Sequence, residues 1–258
     1  MPYALASDQT AIHYQVHGEG APTLLLLAGQ ANSRHWWDPV LEDFSAVFRT
    51  VTLDYRGTGC SAKPDTDSYS TRGFAEDVRA VLDHLGAARA HVYGTSMGGR
   101  VAQWFAVDHP DRLDRLVLGC TSPGDAHGVP RDPAITEQLT RPGGLAELMY
   151  SPDWLATHPG PHSTLGDPGM PGYARRRHRF ASARHDSWAV LDQIAAPTLI
   201  LHGTEDVFNP AANAKLLAER IPRARLELIE GARHAYFEEF RARASRLVLD
   251  FLAESPGI

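Results

Sequence analysis

Lysine is nearly missing from this chain: of its 25 basic side chains only Lys63 and Lys215 are not arginine, a skew that the base composition of a gene suffices to explain. The arginines form no basic stripe with interleaved aromatics, and the formal net charge is −6, so the electrostatic footprint of a nucleic-acid binder is lacking. Cysteine is as scarce. Cys60 and Cys120 stand far apart and suit reduced thiols, not a disulfide framework. No C-x-x-C pair occurs and no two histidines share a helical stretch at zinc-binding spacing, so no metal is expected. The longest aliphatic run, 24–28, is far shorter than the roughly 20 residues that span a bilayer. Met1-Pro2-Tyr3-Ala4 has neither the basic nor the apolar segment of a secretory signal. A cytoplasmic chain with no membrane or nucleic-acid partner is the expectation, with a homodimer left open.

What is present is the alternation of an α/β protein. Short apolar runs at 3–6, 11–16, 23–28, 47–53, 90–93, 113–118, 198–201 and 225–229 read as strands, and amphipathic stretches at 33–44, 71–85, 97–108, 211–220 and 236–252 as helices. Gly86 and Pro110 fall just past two of these helices, as stops should. The pattern predicts an eight-stranded, mostly parallel sheet with helices on both faces. Between Ser122 and Val190 the texture changes, because nine of the 18 prolines lie there and no strand is evident. This reads as an inserted helical cap after the sixth strand, with helices at 145–155 and 173–184. The core is then 1–121 and 191–258, with the cap at 122–190. Ligands of open α/β sheets bind at the carboxyl ends of the strands, so the cap is expected over the site.

Gly94-Thr95-Ser96-Met97-Gly98 fits G-x-S-x-G between a predicted strand and a predicted helix, the setting in which a sharp turn lifts a serine hydroxyl clear of the sheet. A serine is a weak nucleophile at neutral pH and needs a base and a group to orient that base. His234, in Gly231-Ala232-Arg233-His234 after the last strand, is placed for the first role. Asp206 is preferred for the second, over its neighbour Glu205 and the more distant Asp125, from its spacing after Gly203 and the turn into the next helix.

The chain order Ser96, Asp206, His234, together with Asp54-Tyr55-Arg56-Gly57-Thr58-Gly59-Cys60-Ser61 and Ala196-Pro197-Thr198-Leu199-Ile200-Leu201-His202-Gly203, resembles the α/β-hydrolase superfamily over nearly the whole chain. One departure stands out: that family usually has His-Gly after the third strand, where this chain has Ala28-Gly29-Gln30. The resemblance implies an oxyanion hole built from the backbone N–H groups of Gln30 and Met97, one donor of which is worth about two to three orders of magnitude in turnover.

It also implies a serine hydrolase that cleaves a small-molecule carboxylic ester or enol-lactone through an acyl-enzyme, without a cofactor. Ser96 sets aside the dehalogenases and epoxide hydrolases of the fold, which carry aspartate there. The S-M-G-G elbow, the R-G-T-G loop and a short cap are most similar to the enol-lactonase and aminoacrylate-hydrolase group. Three alternatives remain open at this level: a carbon–carbon bond hydrolase, a natural-product tailoring hydrolase or cyclase, and a non-hydrolytic ligand binder. Candidate substrate contacts are Trp36 and Trp37 beside the oxyanion loop, Tyr150 and Trp154 in the cap, and Arg176 and Arg179 as anchors for a carboxylate. The tryptophans can equally pack the first helix, and the arginines can form a solvated helix face.

Overall fold

Eight strands form one sheet in the order β1-β2-β4-β3-β5-β6-β7-β8. In the computed structural model, which describes residues 2–254, they are β1 (Tyr3–Leu5), β2 (Ala11–His17), β3 (Thr23–Leu27), β4 (Arg49–Leu53), β5 (Ala90–Thr95), β6 (Leu113–Gly119), β7 (Thr198–Gly203) and β8 (Ala224–Ile229). β2 pairs antiparallel with β1 and β4, and every other pairing is parallel. β3, β5 and β7 are buried along their whole length, as strands covered by helices on both faces must be. All eight predicted strands are present. β4 starts two residues late because Val47 closes the turn after the preceding helix and is exposed.

The helices are α1 (Leu41–Ser45), α2 (Thr71–His84), α3 (Met97–Asp108), α4 (Pro133–Gln138), α5 (Gly144–Met149), α6 (Pro152–Thr157), α7 (Gly172–Ala183), α8 (Ala212–Arg220), α9 (Tyr236–Glu239) and α10 (Arg241–Ala253). α1 and α10 pack together on one face of the sheet, α2 and α3 on the other. α2 shows how the sequence makes them. The Ser70 hydroxyl caps it by accepting from the Gly73 N–H at 2.9 Å, and Phe74, Val78, Val81 and Leu82 turn one buried stripe toward the sheet.

Three expected helices are each split in two. The stretch 33–44 becomes a 3-10 turn, Arg34–Trp37, and α1, because Pro39 has no N–H with which to continue the ladder. The stretch 145–155 becomes α5 and α6: Pro152 takes the first position of α6, and Ser151 caps it with a 3.2 Å bond from the Trp154 N–H. The stretch 236–252 breaks at Phe240, whose φ of −110° and ψ of 36° are not helical. α4 was not anticipated; the Asp132 carboxylate caps it through the Ala134 N–H at 2.8 Å.

Between β6 and β7 the chain forms α4 to α7 and a 3-10 turn, Trp188–Gln193. This segment is bonded to loops at the carboxyl ends of the strands. After β3, Ala31 O accepts from the Asp167 N–H at 2.8 Å, and Asn32 Oδ1 from the Gly166 N–H at 2.8 Å. After β4, the Gly59 N–H donates to Asp167 Oδ2 at 2.7 Å. After β8, the Ala235 N–H donates to Met149 O at 2.8 Å. No helix among the described residues is long and apolar enough to cross a membrane.

Candidate active site

Ser96 stands alone between β5 and α3 with φ 55° and ψ −121°, a conformation that costs an L-residue about 1–3 kcal/mol. Its surroundings hold it there. The Ser96 N–H donates to Gly119 O at 2.9 Å, and the Thr121 hydroxyl donates to Ser96 O at 2.7 Å. The flanking glycines are needed for space: a Cβ on Gly94 would lie 2.2 Å from Gly98 O, and one on Gly98 would lie 2.1 Å from Leu27 O. The turn therefore brings α3 against the end of β3 and leaves Ser96 half-exposed beside the loop that follows β3.

At the same end of the sheet, the loop after β7 carries Asp206 and the loop after β8 carries His234. Both are buried, and His234 Nδ1 lies 2.7 Å from Asp206 Oδ2. Glu205 is exposed, and Asp125 is a largely exposed partner of Arg100 at 3.2 Å. The Asp206 carboxylate has two further donors, the Asn209 N–H at 2.8 Å and His202 Nε2 at 3.1 Å. Burial pulls its pKa upward, but the charge and hydrogen bonds of His234 and His202 more than offset this and hold it well below the ordinary carboxylate range. The acid is therefore ionised at any working pH, and it keeps the His234 proton on Nδ1. His234 Nε2 is buried and has no hydrogen-bond partner among the described residues, so its lone pair is free.

Sequence reasoning missed His202 and Asn209. His202 Nε2 also reaches Asn209 O at 2.8 Å, and Asn209 Nδ2 donates to Cys120 O at 2.7 Å, which ties the Asp206 turn to the end of β6. The only signal in the sequence was a histidine four residues before the chosen aspartate on a strand end.

The loop after β3 compensates for Ala28, which is buried. Asn32 Nδ2 donates to Gln30 O at 2.9 Å, and the Ala31 N–H donates to His178 Nδ1 at 3.4 Å. Trp36 lies so close that a Cβ on Gly29 would meet its ring at 2.6 Å, and its Nε1–H donates to Thr95 Oγ1 at 2.9 Å. Among the described residues the N–H groups of Gln30 and Met97 donate to no protein acceptor. The Asp54 loop is scaffolding for this end of the sheet: Asp54 accepts from the Arg34 N–H at 2.7 Å and the Cys60 N–H at 3.0 Å, while Arg56 forks onto Asp77 at 2.6 and 2.8 Å.

The expected substrate contacts fare differently. Trp37 is fully buried against Tyr93 and Phe237, a packing position, and Trp36 braces the elbow as described. Tyr150 has no exposed surface. Its hydroxyl donates to the Glu238 carboxylate and its ring stacks on Trp154 at 4.2 Å, so it joins α5 to α9; Trp154 is half-buried beside it. Arg176 and Arg179 are exposed: α7 turns Ala174, His178 and Ala181 inward and those arginines to solvent, the solvated helix face that the sequence also allowed.

A strained serine at a strand–helix turn, with a carboxylate–imidazole pair from the next strand ends of a mostly parallel sheet, places the chain in a fold class. It belongs to the α/β-hydrolase superfamily and is an enzyme with hydrolase activity: a sequence profile described as the alpha/beta hydrolase fold matches residues 22–148, and relatives named as hydrolases align with nearly its full length. The chain is 31% identical to a protein named carbamate hydrolase RutD from Caulobacter sp. (strain K31), over 94% of this chain and 96% of that one. Among solved structures it is similar to the enol-lactonase from Burkholderia xenovorans LB400, at 27% identity and a TM-score of 0.82, covering 98% of this chain and 100% of that one. It is also similar to Est816, described as an N-acyl homoserine lactone degrading enzyme, at 28% identity and a TM-score of 0.83 with 97% and 100% covered.

Proposed function

We propose that this hydrolase cleaves a small-molecule carboxylic ester or lactone through an acyl-enzyme, with Ser96 as nucleophile, His234 as general base and acid, and Asp206 as the orienting acid. The observation that carries the reading is the state of His234: one ring nitrogen is clamped on an ionised carboxylate and the other is buried and unpartnered, at the end of the sheet where the Ser96 elbow stands.

The Ser96 proton passes to His234 Nε2 as Oγ bonds to the substrate carbonyl carbon, and the carbonyl electron pair moves onto oxygen. The free N–H groups of Gln30 and Met97 receive that oxyanion. On collapse the leaving alkoxide takes the proton back from Nε2, and water, deprotonated by the same nitrogen, releases the acid and regenerates Ser96. The segment 122–190 acts as a cap, and its bonds to the loops after β3, β4 and β8 keep it over the site. Relatives named for carbamates, enol-lactones and N-acyl homoserine lactones support the reaction type, since each substrate offers a carbonyl with a heteroatom leaving group.

The test is hydrolysis of short p-nitrophenyl esters by wild type and Ser96→Ala, with mass spectrometry of the protein after exposure to an activated phosphonate ester. Ser96→Ala is expected to lose at least about a thousandfold in kcat/KM and to escape labelling. Equal rates in the two proteins would sink the assignment.

A further inference from the structure

Arg131 lies two residues before α4, half-buried, and among the described residues its guanidinium makes no hydrogen bond or ion pair. Its carbon lies 4.4 Å from the centre of the Phe208 ring, and that ring meets His234 edge-on with centroids 4.8 Å apart. The two contacts in series bound the distance from the cation to the imidazole. Asp125, an acidic residue whose field reaches Arg131, is engaged by Arg100 at 3.2 Å. Burial lowers the Arg131 pKa, and the fields of Asp125 and Asp206 oppose that, so the cation lies within electrostatic reach of the acid that orients His234.

A half-buried guanidinium with no carboxylate in direct contact is an expensive arrangement for a protein to keep. Cation–π contact with Phe208 recovers part of the cost. The contact is made through the guanidinium carbon, and among the described residues no acceptor takes any of the group's N–H donors. That fork matches a planar anion with two oxygens in one plane, which is the geometry of a carboxylate.

We propose that Arg131 binds a carboxylate carried by the substrate a few bonds from its scissile carbonyl, so that the enzyme selects anionic esters or lactones over neutral ones. This rests on the Ser96–His234 reading for what is cleaved, but not for what is bound. Arg131 does the work that the sequence offered to Arg176 and Arg179, from a position one aromatic ring removed from His234.

The experiment compares p-nitrophenyl glutarate monoester with its methyl ester, which has the same acyl chain without the charge. Wild type prefers the carboxylate, Arg131→Met lowers the ratio of the two kcat/KM values by at least about tenfold, and Arg131→Lys, which keeps the charge but not the fork, recovers only part. An unchanged ratio in Arg131→Met overturns the proposal. Calorimetric binding of free glutarate to Ser96→Ala, with and without Arg131→Met, is independent of any cleavage. Arg131-dependent binding in a protein whose wild type cleaves neither ester keeps the carboxylate site and discards the ester reading. Binding that is equally weak with and without Arg131 discards the site whatever the esters do.

Discussion

Acid should loosen the bond between α7 and the loop after β3, and His178 sets by how much. Its ring is buried. Nε2–H donates to Arg56 O at 2.8 Å and Nδ1 accepts from the Ala31 N–H at 3.4 Å, so both nitrogens are committed to the neutral tautomer and a second proton has no place. Burial pushes the pKa down to about 4, the Arg56 carbonyl opposing and Arg175 adding to the shift. In the unfolded chain the same ring titrates near 6.5. Between those values the unfolded chain binds a proton that the folded chain does not, so this stability is whole above about pH 6.5 and is lost as the pH falls toward 4. Integrated, the loss is about 2 kcal/mol from pH 7.5 to pH 5 and levels off near 3 kcal/mol below pH 4. Urea unfolding of wild type and His178→Gln at both pH values measures it. Every other contribution to the pH dependence is common to both proteins, so the difference between the two pH dependences isolates His178. Wild type should lose about 2 kcal/mol more than the variant; equal losses would refute the reasoning.

Two further substitutions probe the site. Gly98→Ala puts a methyl group 2.1 Å from Leu27 O and 2.6 Å from its carbonyl carbon, so β3 or α3 must shift. A loss above about 3 kcal/mol and a fall in soluble yield are expected, and a fully stable, active variant in thermal melts would show that the elbow has slack. His202→Ala removes one of the three donors to Asp206, leaving the carboxylate buried with less to hold it ionised. Urea unfolding should show a loss of about 2 kcal/mol and ester assays a fall in kcat with little change in KM; unchanged kcat would mean that His234 and Asn209 alone fix Asp206.

The strands were legible because β3, β5 and β7 are short, largely apolar runs beside glycine or proline, and the elbow because Gly94 and Gly98 admit no other side chain. Asp206 was separable from Glu205 only by spacing, since nothing local says which of two adjacent carboxylates turns inward. The outward face of α7 was in the sequence all along: Ala174, His178 and Ala181 recur at helical spacing and form its one face of small or uncharged residues, which puts Arg176 and Arg179 on the far side. His202 and Arg131 had no such signal. Each gains its place from a chain segment remote in sequence, His202 from the turn that carries Asn209 and Arg131 from the ring of Phe208, and a histidine or arginine reads the same before and after that encounter. The break at Phe240 is likewise tertiary, lying just past the carboxylates by which α9 holds Tyr150 and Ser151.

Trp36 rests its ring on Gly29 and hangs its N–H on Thr95. Gly29 precedes Gln30, and Thr95 lies two residues before Met97, so one indole acts as the gauge block between the two loops whose N–H groups are assigned to the oxyanion. The opening between those donors is thus a dimension braced by a single buried side chain. Tuning the size of the tetrahedral centre that fits would begin at Trp36.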